Sequence, residues 1–345
     1  MKAAVIRQFG ELTVQDVPDP QLDDYSAVCR VLYGATCTGT DTHIIDGCFP
    51  WTGALPTILG HESIGEVVAV GSKVRHLQVG DIVTRVGAPA MPEVNLSITW
   101  GGFAQMGLAY DHWAMRADGL PSDRWMRHRV NQILPPSIDL RIGPMFTTWR
   151  ETYSYFTRLG ICGEGRSVLV IGSGGNGLAF AVHAANLDSP NVVLIGAARM
   201  RDAVLAKTGV HHYFDYRDAN LVDVVKKTSP DGFDLIIDAL GRNGAVDQML
   251  PLLKPDGTVA VYGLDDRDNL TITPGLARGS FRYQPPSGYD EAEAHQAVCD
   301  LVRSNRLDAS LWYDANAPYP LDEISDAYDA VRRRVSPKAL VELSS

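Results

Sequence analysis

The sequence predicts an α/β protein in which a β-rich front precedes a doubly wound parallel sheet. Residues 1–85 hold short apolar or alternating runs (AAVI, LTVQDV, AVCRVLYGA, SIGEVVAVG) broken by Gly, Pro and Asp, the pattern of short strands and turns. From about residue 150, strand-like and helix-like runs alternate: SVLVIG, LAFAVHAANL, NVVLIG, RDAVLAKTG, FDLIIDAL, VDQMLPLL and TVAVYG. That alternation is the pattern of βαβ units. A chain of 345 residues has room for both parts, at roughly 100–200 residues per domain.

Between the two parts, residues 87–136 lose clear periodicity. GAPAMPEVNLSITWGGF reads as loop, and DHWAMRADGLPSDRWMRHRVNQILPP carries Trp, Arg and Pro without a repeating face. A helix-like TTWRETYSYFTRLG leads into the alternating part. The tail, EAHQAVCDLVRSNRLD followed by PLDEISDAYDAVRRR, predicts two helices around a short extended piece.

Composition excludes several classes. Lys plus Arg total 31 against 41 Asp plus Glu, a formal charge of −10. No basic run exceeds Arg332–Arg334, so a nucleic-acid partner is not expected. The longest apolar runs are strand-length, short of the ~20 residues a membrane helix needs. The opening MKAAVIRQFG lacks the apolar core of a signal peptide, and the expectation is a soluble, cytoplasmic protein. Five cysteines, Cys29, Cys37, Cys48, Cys162 and Cys299, include no C-x-x-C pair. They suggest neither a disulfide framework nor a four-cysteine zinc lobe. Cys29, Cys48, Cys162 and Cys299 read as packing residues.

Chemistry enters at Gly172-Ser173-Gly174-Gly175-Asn176-Gly177. This G-x-G-x-x-G run follows SVLVIG and opens an apolar helix, the context a Rossmann dinucleotide site requires. One glycine permits the turn, one admits the pyrophosphate and one allows close helix packing, while the helix N-terminus faces the phosphate charge. The next strand, NVVLIG, ends without the acid that would bind an NAD ribose and is followed by Arg199 and Arg201. Guanidinium groups suit a 2′-phosphate, so NADP is the expected cofactor. His183, His211 and His212 fall on Rossmann helix or loop positions and read as structural.

These residues and several further motifs resemble the medium-chain dehydrogenase/reductase superfamily, in its zinc alcohol and polyol dehydrogenase branch. The resemblance rests on Gly39, Thr40, Asp41 and His43 (G-T-D-x-H), LGHESIGEVVAVG at 59–71 and VGDIV at 79–83. GGFAQ at 101–105 and PLDEISDAY at 321–328 extend it over nearly the whole chain. It implies a GroES-like catalytic domain (1–144 and 287–345), a Rossmann NADP-binding domain (145–286), and a homodimer or homotetramer.

The chain departs from the family at the metal. That branch usually holds zinc with a Cys directly before G-[ST]-D, the His of GHE, and a third Cys, Asp or Glu. Here Thr38 stands in the first position with Cys37 one residue earlier, and Thr147 (or Thr148) stands in the third. His61 remains, with Glu62 beside it. A Thr hydroxyl is a poor substitute for thiolate, and strand alternation would turn Cys37 away from His61. The expectation is therefore a site with no metal ligands in place, zinc being retained only if a bulge re-aims Cys37 toward His61 and Glu62.

Without zinc, hydrogen-bond donors must stabilise the developing alkoxide. Thr40 and His43 match the family's proton relay, His61 or Thr40 is the expected donor to the substrate oxygen, and Glu62 the residue that tunes His61. Asp41 organises the turn. Trp51, Trp100 and Trp149 flank the motifs and suit the apolar face of a sugar or cyclitol ring. Arg150 and Glu151 are placed to contact hydroxyl or amino groups, and an insertion at about 111–134 to cap the site. The expected activity is NADPH-dependent reduction of a ketone on a sugar-, aminosugar- or cyclitol-like molecule. The 24 Arg against 7 Lys hint at a GC-rich bacterial genome, where a keto intermediate of an aminoglycoside-type antibiotic would suit. The alternatives are a zinc alcohol/polyol dehydrogenase using Cys37, His61 and Glu62, a zinc-free enone reductase, and a non-catalytic NADPH-binding protein.

Overall fold

The computed structural model describes residues 1–49, 54–161 and 163–344; Trp51 and Cys162 lie outside the described residues. Its contacts divide the chain into two units. The first holds Met1–Arg150, Glu291–Arg303 and Trp312–Ser345, and the second Glu151–Asp290 and Ser304–Leu311.

The first unit is β-rich. Strand Ser26–Ala35 is its spine, pairing antiparallel with Ser63–Val70, Met106–Tyr110 and Leu340–Glu342. Its pairing with Ser63–Val70 slips between Val28 and Cys29 and again between Val31 and Tyr33, and such irregularities bend a strand. A second sheet runs Glu11–Asp16, Lys2–Gln8, Thr57–Ile58, Ser97–Ile98. Beneath it Ala3, Val5, Ile58, Met91, Leu96 and Ala104 form a small apolar core.

Two local structures in this unit went beyond the sequence pattern. The G-T-D-x-H motif forms a short helix, Thr40–Ile45. The 111–134 insertion folds as two short helices, His112–Ala117 and Ser122–Trp125, capped at the first by Asp111 accepting from the Ala114 N–H.

The second unit is a six-stranded sheet in the order His212–Asp215, Asn191–Gly196, Ser167–Ile171, Phe233–Asp238, Leu253–Val261, Arg282–Gln284. Every neighbouring pair is parallel. This is the doubly wound 3-2-1-4-5-6 order. All five residues of Ser167–Ile171 are buried, because helices cover both faces of a central parallel strand. Leu169, Val193, Ile236 and Val259 pack there against Leu221, Val225, Val246 and Met249. Burying each such side chain contributes about 1.5–3 kcal/mol.

The order reverses between Ser167–Ile171 and Phe233–Asp238, and ligands of this architecture bind outside the strand ends at that switch point. No helix among the described residues is long and apolar enough to cross a membrane.

Candidate active site

The first unit gathers a buried polar cluster around the G-T-D-x-H and GHE motifs. Gly60, at φ +100, turns the chain into His61, and a side chain there would strike Phe103. His61 and Glu62 precede strand Ser63–Val70, and both are buried. His61 Nδ1 lies 3.0 Å from Asp41 Oδ1. Asp41, fully buried on the helix Thr40–Ile45, also accepts from the Tyr328 hydroxyl at 2.7 Å and the Cys37 N–H at 2.8 Å. Burial opposes a charge on His61, but Asp41 outweighs it and holds the imidazole pKa well above its ordinary value.

Glu62 belongs to a second ion pair. Lys338 Nζ, only 1% exposed, donates to both carboxylate oxygens at 2.6 and 2.7 Å. Thr148 Oγ1 adds a third bond at 2.9 Å. Burial would lower the Lys338 pKa, yet Glu62 carries it above the usual lysine value. Two carboxylates thus face two cationic side chains, and the cluster balances its own charge.

Several expectations change here. Cys37 does not turn away: its Sγ and ligand atoms of His61 and Glu62 all lie within 4.8 Å of one another. The reason is local, since the strand ends at Ala35 and alternation no longer governs Cys37. Asp41, not Glu62, sets the state of His61, because Glu62 stands 3.6 Å from Nε2 and is taken by Lys338. Of the two threonines, Thr148 faces the cluster, while the Thr147 hydroxyl is buried without a partner among the described residues. Thr38 is committed elsewhere, donating to the Pro337 carbonyl at 2.6 Å.

Thr40 opens its helix with its side chain half-buried, and His43 follows one turn later on the same face.

Arg150 and Glu151 are not available to a ligand in the expected way. Arg150 is fully buried and paired with Glu291 at 2.9 Å, and the Tyr262 hydroxyl donates to Glu151 at 3.4 Å. Trp149 is core, packed edge-on against Phe146 and Trp312. The hydrogen bonds of the 111–134 insertion include ones to Tyr25, Arg75, His76, Thr84, Arg85, Arg150 and His295. Trp100 alone of the described candidates meets the site: its ring lies 5.2 Å from that of His61, and it is 46% exposed.

A zinc ion takes at least three protein ligands even at a catalytic site. Three donors do converge here, but Glu62 already has both oxygens engaged by an ammonium group. A dication there would face Lys338 as well. A metal held by Cys37, His61 and Glu62 together would share the Glu62 carboxylate with Lys338.

On the second unit, Gly172 closes the turn after Ser167–Ile171 at φ +102, and a side chain there would meet Leu240. A Cβ on Gly177 would collide with the Gly172 carbonyl, whereas one on Gly174 would enter open space. The outer glycines are thus demanded by packing, and Gly174 leaves a cradle at the N-terminus of helix Gly175–Asn186. Gly175 and Asn176 form its first turn, whose N–H groups point toward any phosphate bound there.

Beyond Asn191–Gly196, the turn is fixed by Ser173 Oγ accepting from the Ala197 N–H and by Tyr213 donating to the Ala197 carbonyl. Arg199 and Arg201 are exposed, with no acidic partner among the described residues. An acid the sequence pattern did not flag, Asp215, stands in register with Gly196. Arg217 neutralises it with two bonds, at 3.2 and 3.1 Å. His183 is buried, 3.1 Å from Thr152 Oγ1, in keeping with a structural role.

Comparison with known proteins shows the family and the fold. A model of the alcohol dehydrogenase GroES-like domain matches residues 24–119, and one of the zinc-binding dehydrogenases matches 175–301. The chain is 25% identical over 338 residues to the L-threonine 3-dehydrogenase of Escherichia fergusonii, covering 94% of each. It is 25% identical over 360 residues to an alcohol dehydrogenase of Cupriavidus necator, covering 95% of this chain and 94% of that one. Among solved structures, a zinc-binding dehydrogenase of Sinorhizobium meliloti 1021 bound to NADP superposes with a TM-score of 0.78 at 22% identity, covering 99% and 98%. The chain belongs to the medium-chain dehydrogenase/reductase superfamily, zinc alcohol dehydrogenase branch, and is an oxidoreductase.

Proposed function

We propose that the protein is an NADPH-dependent reductase of a ketone on a sugar-, aminosugar- or cyclitol-like small molecule, working without catalytic zinc. The observation that carries this reading is the pairing of Glu62 with Lys338. It removes one of three converging donors and leaves the buried cluster balanced in charge.

Bound NADPH supplies the hydride. The chain's own residues must then stabilise and protonate the alkoxide that forms. His61, kept cationic by Asp41, is the proton donor at Nε2; Thr40 offers a hydroxyl, and His43 returns protons from solvent. A donor of this kind contributes about 10²–10⁴-fold. Support for NADPH comes from Arg199 and Arg201, exposed on the turn after strand Asn191–Gly196, and from the pairing of the nearby Asp215 with Arg217.

A second reading, a zinc-dependent alcohol or polyol dehydrogenase, is favoured by one observation, the convergence of Cys37, His61 and Glu62 within 4.8 Å. It requires Lys338 to release Glu62.

The cofactor assignment is checked by fluorescence titration. Replacing Arg199 and Arg201 together by alanine is expected to weaken NADPH binding by about 10–100-fold, one to two charge-assisted contacts. NADH binding should change little. Equal losses for both cofactors would remove the argument for NADPH.

A further inference from the structure

We infer that Trp100 is a specificity-determining residue, a fixed platform on which one face of a six-membered ring in the substrate lies beside His61. The inference rests on the carbonyl-reduction reading and adds to it the shape of the substrate.

Trp100 makes a tilted ring contact with His61, centroids 5.2 Å apart, and an edge contact with Phe49 at 6.0 Å. Nearly half its surface remains open, at 46%. An exposed tryptophan resting on the proposed proton donor is placed to read what that donor serves.

Its backbone is held where side chains rarely sit. Trp100 has φ +68 and Gly101 φ +73, and a bulky residue in the left-handed region is an outlier that calls for a reason. The neighbours enforce it. The Ala88 N–H donates to the Gly101 carbonyl at 2.9 Å, and the Gly102 N–H to the Gly60 carbonyl at 2.7 Å. The second bond ties the Trp100 loop to the residue directly before His61. A side chain on Gly87 would strike the Trp100 carbonyl, so the backbones pack without space between them. Platform and donor are therefore fixed relative to each other, as a positioning surface requires.

A flat face of C–H groups or an aromatic ring lies well on indole, and an open-chain ketone does not hold such a face. Saturated polyhydroxylated rings and aromatic rings share this chemistry, and the test separates them. Initial rates with NADPH are measured on 2-keto-myo-inositol, benzaldehyde and the open-chain L-erythrulose, for the wild type, Trp100→Phe and Trp100→Gly. Glycine accepts φ +68 without strain, so that variant keeps the loop. Binding is read separately by saturation-transfer NMR on myo-inositol, benzyl alcohol and erythritol.

The expected result is a ring-to-chain ratio of kcat/KM that falls by about five- to tenfold in Trp100→Gly. Trp100→Phe should recover most of it, with erythrulose turnover falling less than that of the ring substrates and saturation transfer to the ring lost only in the glycine variant. Dependence on Trp100 for benzaldehyde alone would keep the platform and overturn the cyclitol part of the functional reading. If no carbonyl is reduced but ring binding still depends on Trp100, the functional reading fails and the platform stands. A ratio equal in all three proteins, with unchanged NMR transfer, overturns the platform.

Discussion

Replacing His61 with alanine is expected to lower kcat for ketone reduction by about 10²–10⁴-fold, the usual worth of a positioned proton donor. NADPH affinity, which depends on the other unit, should remain. The alkoxide formed by hydride addition is a strong base, and Asp41 favours the charged form of His61 that can donate to it. Lys338 is also cationic, but its ammonium is spent on Glu62 and the Thr36 carbonyl. Thr40→Ala should lower kcat too. The pH dependence follows from the direction of the shift. Asp41 raises the His61 pKa, so reduction should persist as pH rises through about 6.5, the ordinary imidazole value, and decline only above it. The stability of the pair runs the same way: it is fully present below the unfolded pKa and is lost as pH rises through the raised folded one. Asp41→Asn should move the decline toward 6.5. Near-normal kcat in both His61→Ala and Thr40→Ala would defeat the proposed donor.

Lys338→Met is expected to be the most destabilising single change in the cluster, costing about 3–5 kcal/mol. The methionine fills the same space, but Glu62 is left as a carboxylate 2% exposed, with the Thr148 hydroxyl at 2.9 Å and the more distant His61 Nε2 at 3.6 Å to hold it. Removing one partner of a buried pair costs more than removing both, so Glu62→Gln added to Lys338→Met should recover much of the loss. Urea unfolding of the three variants measures this directly. An unchanged midpoint in Lys338→Met would mean that Glu62 finds another partner, and the charge balance argued above would not hold.

The Rossmann half was legible because its evidence is local. A glycine run, a strand before it and a helix after it lie within some twenty residues, and the packing of Gly172 and Gly177 follows from that context. The site on the other unit was legible in its motifs but not in its partners. Lys338 and Tyr328 reach Glu62 and Asp41 from 276 and 287 residues away, and no spacing rule connects them. One clue was available: Lys338 is the one cation in the largely apolar run PKALVEL, and a buried lysine needs an acid. The error over Cys37 came from extending strand alternation two residues past the end of the strand. The error over Arg150 came from placing it by sequence neighbourhood. It is the third member of a buried Arg85–Glu291–Arg150 array, whose Arg85 Nη1 donates to the His61 carbonyl at 2.9 Å, so its role is support beneath the site.

The central claim is that the cluster of Cys37, His61, Glu62 and Lys338 is complete without a metal. Elemental analysis of the protein purified without chelator tests it most directly. The account predicts zinc far below one atom per chain, unchanged by Cys37→Ala or Glu62→Gln. Zinc near one atom per chain, lost in those two variants, would contradict it and return the reaction to a metal-held alcohol.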